Sequence, residues 1–204
     1  MYTLLKKSFL LILLNFGILG LMAQTPKSTE TGKSTDKQVL LPSQFAQTIK
    51  ITDPVKYNDY IVGQQNIIGT ELLKLIGMFD ALPEDKGETF AQLDVVITKC
   101  SDGIKNMNNL KAIPNEFGMR QAAIELFQFY HDIMDTDYRT IIDQLYTDSP
   151  DMELMQGILV KVQTNEAVVD AKFQSAQKSF SDYHNIQLEE NELQEEFDET
   201  EEGE

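Results

Sequence analysis

Residues 53–82, DPVKYNDYIVGQQNIIGTELLKLIGMFDAL, decide the fold. Asp53 is a favoured N-cap, and Pro54 at the first helical position gives up only an N–H that has no intrahelical partner. Behind that start, Tyr57, Ile61, Gln64, Ile68, Leu72, Leu75, Phe79 and Leu82 recur at steps of three or four, which stacks side chains along one stripe of a helix. At about 1.5 Å per residue the helix is roughly 40 Å long. A rod with a single apolar stripe needs other rods of similar length to cover it.

Working outward, the rest of the chain supplies them. Pro83 closes the first helix, and PEDKG at 83–87 is a turn suited to an antiparallel return. A second helix is predicted over 88–111, with Phe90, Leu93, Ile97, Cys100, Ile104, Met107 and Lys111 at near-heptad spacing. Pro114 breaks it, and a third is predicted over 116–146 with Phe117, Ile124, Phe127, Tyr130, Met134, Tyr138, Ile141, Ile142 and Leu145 on a wide apolar face. Asp148 or Ser149 can cap a fourth helix that takes Pro150 at its first position, with Asp151 and Glu153 in its first turn. Its stripe reads Met155, Ile158, Val162, Val169, Phe173, Ala176, Phe180 and Tyr183. Four amphipathic segments joined by short Pro-containing turns, with no alternating pattern, predict an all-α, antiparallel up-down-up-down four-helix bundle over 53–188.

The flanks differ in kind. Residues 1–23 read as a secretory signal peptide: Lys6 and Lys7, an apolar run from Ser8 to Leu21, and Ala23 before a cut at Gln24. The run is short for a membrane span and carries Asn15, so no transmembrane segment is expected after its removal. With no cysteine behind it, no lipoprotein anchor is expected. Residues 24–52 form a polar linker: 24–37 is too poor in apolar groups to order itself, and Pro42 keeps 39–45 irregular. The segment 189–204 is an acidic tail, expected to be disordered, with ten of the chain's 33 carboxylates. Loss of Lys6 and Lys7 takes the net charge from −16 to −18. No Lys/Arg cluster lies beyond the leader, so nucleic acid and anionic membranes are not expected as partners.

Chemistry-bearing motifs are few. One cysteine, Cys100, supplies neither a disulfide nor a haem-attachment motif, and it falls on a buried stripe. Neither His131 nor His184 has Glu three residues before it, so the di-iron bundle signature is absent. No G-x-S-x-G elbow or phosphate loop occurs. No catalytic residue, cofactor or metal site is assigned, and the chain is not expected to be an enzyme. His131 and Asp135, one turn apart, could share a cation with neighbouring Asp132 and Asp137, or be a His paired with a carboxylate. Met152 and Met155 suit Cu(I) by chemistry and core filling by position. Gly63, Gly69 and Gly77 each cost about 1 kcal/mol in a helix interior. They let a neighbour approach, allow a bend, or open space for a small ligand. Gln64 interrupts the apolar seam amid Asn58, Gln65 and Asn66; such an amide fixes register or lines a polar pocket.

The opening DPVKYNDYIV at 53–62, with Gln65 and the long helices after it, resembles an uncharacterised family of exported all-helical surface proteins of Gram-negative bacteria, over roughly 50–185. That resemblance implies an envelope, periplasmic or secreted protein with no assigned activity and no site residues to carry over. The functional expectation is an exported, non-catalytic bundle that binds an envelope or extracellular protein partner through a helix face or the tail. The alternative is a periplasmic small-molecule or metal carrier using the space near Gly63, Gln64 and Gly69. A holdase chaperone, marked by an exposed apolar groove, stands third.

Overall fold

The computed structural model describes residues 48–189 and Met22–Ala23; the polar linker before residue 48 and the tail beyond Glu189 lie outside the described residues, as does the predicted leader apart from those two positions. The described part is all-helical. Helix α1 spans Pro54–Ala81 and α2 Lys86–Asn109. The third rod is composite: α3 (Met119–Ile133), a π-helical turn over Met134–Tyr138, and α4 (Arg139–Leu145). Helix α5, Met152–His184, is the fourth. Two local β pairings accompany them. Met22–Ala23 lies antiparallel to Leu188–Glu189, and Ile49 bridges to Leu110. The latter pairing runs through Ile49 N to Asn109 O and Lys111 N to Ile49 O, each 2.8 Å. Ile49 and Ile51 also pack against the core, so ordered packing begins ahead of Asp53.

The start of α1 follows its sequence: the Asp53 carboxylate accepts from Lys56 N at 3.0 Å, and Leu82 closes the other end in a left-handed conformation before Pro83. The second and fourth helices begin elsewhere than expected. Helix α2 starts at Lys86 because Asp85 caps it, accepting from Gly87 N at 2.8 Å. For α5 the cap is Asp151, accepting from Leu154 N at 2.9 Å. Pro150 therefore precedes the cap and does not occupy the first helical position. Helix α3 begins three residues later than predicted, because Asn115, Phe117 and Gly118 all take positive φ and no run of right-handed residues can form across them.

The π turn has a readable cause. Leu126, Tyr130, Met134, Tyr138 and Ile142 follow one another at steps of four and are all buried. At 3.6 residues per turn each such step overshoots by about 40°, so a regular helix would carry the last of them off the core face. One wider turn absorbs the drift and keeps Tyr138 inside.

Neighbouring rods pair in reverse order of number. Asn106 Nδ2 reaches Gln64 Oε1 at 2.7 Å and Gln92 Nε2 reaches Glu71 O at 2.9 Å. Arg139 reaches Asp94 at 2.6 Å across α2 and α4, while α5 sends Lys161 to Asp137 at 3.0 Å and Lys172 to Glu125. Between them lies one core built on Ile61, Ile68, Leu72 and Leu75 of α1, Leu93, Val96 and Met107 of α2, and Leu126, Phe127 and Ile141 of the third rod. Here Gly103 matters: a Cβ on it would sit 3.1 Å from Phe127 Cδ2 and 3.4 Å from Ile68 Cδ1. Gly103 thus provides a close approach between rods, whereas Gly63 and Gly77 of α1 have nothing within 4 Å of such a Cβ.

Candidate functional site

The seam of α5 is not the one its apolar residues suggest. Leu159, Glu166, Asp170 and Gln177 are buried, whereas Ile158, Val169 and Ala176 are half-buried and Tyr183 is exposed. The helix is turned so that polar side chains enter the interior. Met155, Leu159, Val162, Glu166, Asp170, Phe173, Gln177 and Phe180 run at steps of three and four throughout. The pattern is continuous only when the polar residues are counted in it.

Glu166 (2% exposed) and Asp170 (8%) are one helical turn apart. Two tyrosines from the third rod surround them. Tyr130 donates its hydroxyl to Glu166 Oε1 at 3.2 Å, and Tyr138, brought inward by the π turn, lies close enough for the Glu166 charge to act on it. Burial, reinforced by Glu166, holds both phenols well above the usual tyrosine range. The same desolvation lifts Glu166 from 4.5 to about 8, with the Asp170 charge adding to it and the Tyr130 hydrogen bond opposing. Asp170 rises from 3.8 to about 7 by burial. Its Oδ2 accepts from Gln174 Nε2 at 2.7 Å, and its Oδ1 has no partner. Around neutral pH this pair therefore holds protons that ordinary carboxylates would have lost. Cys100, beside Tyr130, is buried as expected, and desolvation pushes its thiol to about 12.

Amides continue the seam toward the end of the bundle. Gln177 Nε2 donates to Asn58 Oδ1 at 3.0 Å, while both amide atoms of Gln65 (1% exposed) have no partner. Beyond them Tyr57 donates its hydroxyl to Glu116, which Arg120 also approaches at 3.8 Å. At the surface beside this end, Phe117 (48% exposed) packs on Tyr183 (56% exposed) with ring centroids 5.5 Å apart. The sequence pattern puts both on buried stripes. Phe117 cannot reach the core because it belongs to the left-handed loop ahead of α3, at φ 51°.

The residues singled out from sequence are not brought together. Gly63 and Gln64 are half-buried and Gly69 is buried in α1. Gln64 is engaged with Asn106, and the buried unpaired amide is its neighbour Gln65. On α3 and the π turn, His131 Nδ1 contacts Asp132 Oδ1 at 3.1 Å, and Asp135 accepts from Arg139 Nε at 2.9 Å. Each has a different partner. Among the described residues no group of three His, Cys, Asp or Glu side chains could hold a metal ion, and no helix is long and apolar enough to cross a membrane. Comparison with family models, curated proteins and solved structures gives no match to this chain.

Proposed function

We propose that the chain is an exported, non-catalytic, up-down-up-down four-helix bundle of the cell envelope or exterior, and that it acts by binding a basic protein partner at one end. The reversed order of the inter-rod pairs supports the topology. The Phe117–Tyr183 pair carries the functional reading. A bulky residue held at positive φ costs about 1 to 3 kcal/mol, and at 48% exposure Phe117 recovers only part of that by burial. An aromatic pair fixed in the open is the kind of anchor that protein interfaces use. The sign of the partner follows from charge: the net charge is −16, and the run of carboxylates begins five residues past His184.

The test is capture from envelope extract by the chain without residues 1–23. Three forms are compared: wild type, Phe117→Asn/Tyr183→Ser, and a form ending at Leu188. The expectation is a basic protein retained by wild type, lost by the aromatic double variant, retained less by the shortened form, and released as salt approaches about 1 M, where screening acts within about 3 Å. Retention of the same proteins by the double variant at wild-type level refutes the proposal.

A further inference from the structure

The interior polar seam of α5 lies outside the surface reading. Glu166 and Asp170 act on Tyr130 of α3, Glu166 also on Tyr138 of the π turn, and Cys100 of α2 lies beside Tyr130. Among the described residues, no Lys, Arg or His forms a hydrogen bond or ion pair with either carboxyl. On α1, register sets an amide at the same height. Asn58 and Gln177 pair at 3.0 Å; seven residues onward along α1 and seven back along α5 place Gln65 level with Asp170. Gln65 is 1% exposed with neither amide atom paired, and Asp170 Oδ1 is likewise unpaired. Helices α1 and α5 meet through the Asn58–Gln177 and Tyr57–Phe180 side-chain pairs, with less of the close backbone approach seen between consecutive rods.

We propose that this seam is a proton-operated latch: α5 lies closed against α1 and α3 while the Glu166–Asp170 pair is protonated, and loosens when both carboxyls ionise. A protonated carboxyl takes a desolvated negative charge out of the seam. Two buried carboxylates one turn apart repel each other and have one phenol and one amide to solvate them. The direction of the titrations agrees. Folded values of about 8 and about 7 lie above the ordinary 4.5 and 3.8, so the closed form binds more protons than the open one. The closed form's advantage is therefore full below about pH 4, shrinks as pH rises, and is gone above about 8.

Cys100, buried in the same core, reports the opening. Its rate of labelling by a thiol reagent is measured from pH 6 to pH 8 in wild type and in Glu166→Gln/Asp170→Asn, with each rate divided by that of a free thiol peptide. The normalised wild-type rate is expected to climb at least about 50-fold across the range, and the variant's to stay flat within about threefold. Hydrogen exchange of α5 amides in Asp170→Asn alone supplies a second readout: the wild type should lose α5 protection with rising pH earlier than the variant. Equal pH slopes in wild type and variants, by labelling or by exchange, overturn the latch.

Discussion

Replacing three glycines by alanine tests whether the rods pack as described. In a helix interior Gly→Ala gains about 1 kcal/mol from backbone entropy and propensity when the new methyl meets open space. Gly63 and Gly77 have nothing within 4 Å of a built Cβ, so each substitution should stabilise by about that amount. Gly103 sits where α1, α2 and α3 converge. Its Cβ would lie 3.1 Å from Phe127 Cδ2 and 3.4 Å from Ile68 Cδ1, and both neighbours are buried and fixed by the core. Overpacking of that kind costs about 1 to 3 kcal/mol, which outweighs the same propensity gain and leaves Gly103→Ala about 1 kcal/mol less stable than wild type. The contrast between Gly63→Ala and Gly103→Ala is then about 2 kcal/mol, a Tm separation of roughly 4 to 8 °C for a chain of this size. Urea unfolding followed by circular dichroism resolves it, provided the m-values agree. A Gly103→Ala variant as stabilised as Gly63→Ala would refute the convergence of the three rods at that point.

Two further outcomes follow from the buried carboxyl and the strained loop. Glu166→Gln keeps the shape and removes the charge. Glu166 moves from 4.5 to about 8, and each pKa unit is worth about 1.36 kcal/mol, so the variant should match wild type near pH 4 and exceed it by up to about 5 kcal/mol near pH 9. A stabilisation independent of pH in urea titrations would contradict burial of an ionisable Glu166. Phe117→Asn puts a residue tolerant of positive φ where Phe stands at 51°. Thermal unfolding should show stability unchanged or higher by about 1 kcal/mol, the relief of strain offsetting the lost ring contact with Tyr183. A drop of several kcal/mol would place that ring in the core.

The helices and the apolar seam of α1 were legible because local signals agreed with tertiary packing. Asp53 and Pro54 start the helix, and Tyr57, Ile61, Ile68, Leu72, Leu75 and Phe79 are buried as their spacing requires. In α2, Leu93, Cys100 and Met107 followed suit, while Thr89, Val96 and Gly103 took the intervening places expected of Phe90, Ile97 and Ile104. That shift is one residue around the helix, and only the position of the facing rods decides it. The candidate site was not legible for a related reason. A search for apolar residues passes over Glu166, Asp170 and Gln177, which hold seam positions in α5, and prefers Ile158, Val169 and Ala176 beside them. The spacing would have included them had polarity not excluded them. Phe117 is of a type that favours burial, yet it shares positive φ with Asn115 and Gly118 on either side and stays in the turn.

The distribution of these groups says where the molecule is firm. The core shared by α1, α2 and the third rod is apolar apart from a few satisfied groups such as Thr89, whose hydroxyl lies 2.8 Å from that of Tyr146. Asp170, with its unpaired Oδ1, and Glu166, the two carboxyls raised furthest, lie on the face that α5 turns to the other rods. Each unpaired buried polar atom costs about 1 to 3 kcal/mol, and apolar residues of similar volume in their place would ordinarily stabilise the fold. Phe173, Phe180, Met155, Leu159 and Val162 hold α5 in place despite that cost. The same helix carries Tyr183, half of the exposed aromatic pair, about 20 Å along its axis from Asp170. Three rods thus form a frame that local signals specify well. The fourth is attached by a seam whose strength depends on protons, and it is the rod from which the outer aromatic surface is built.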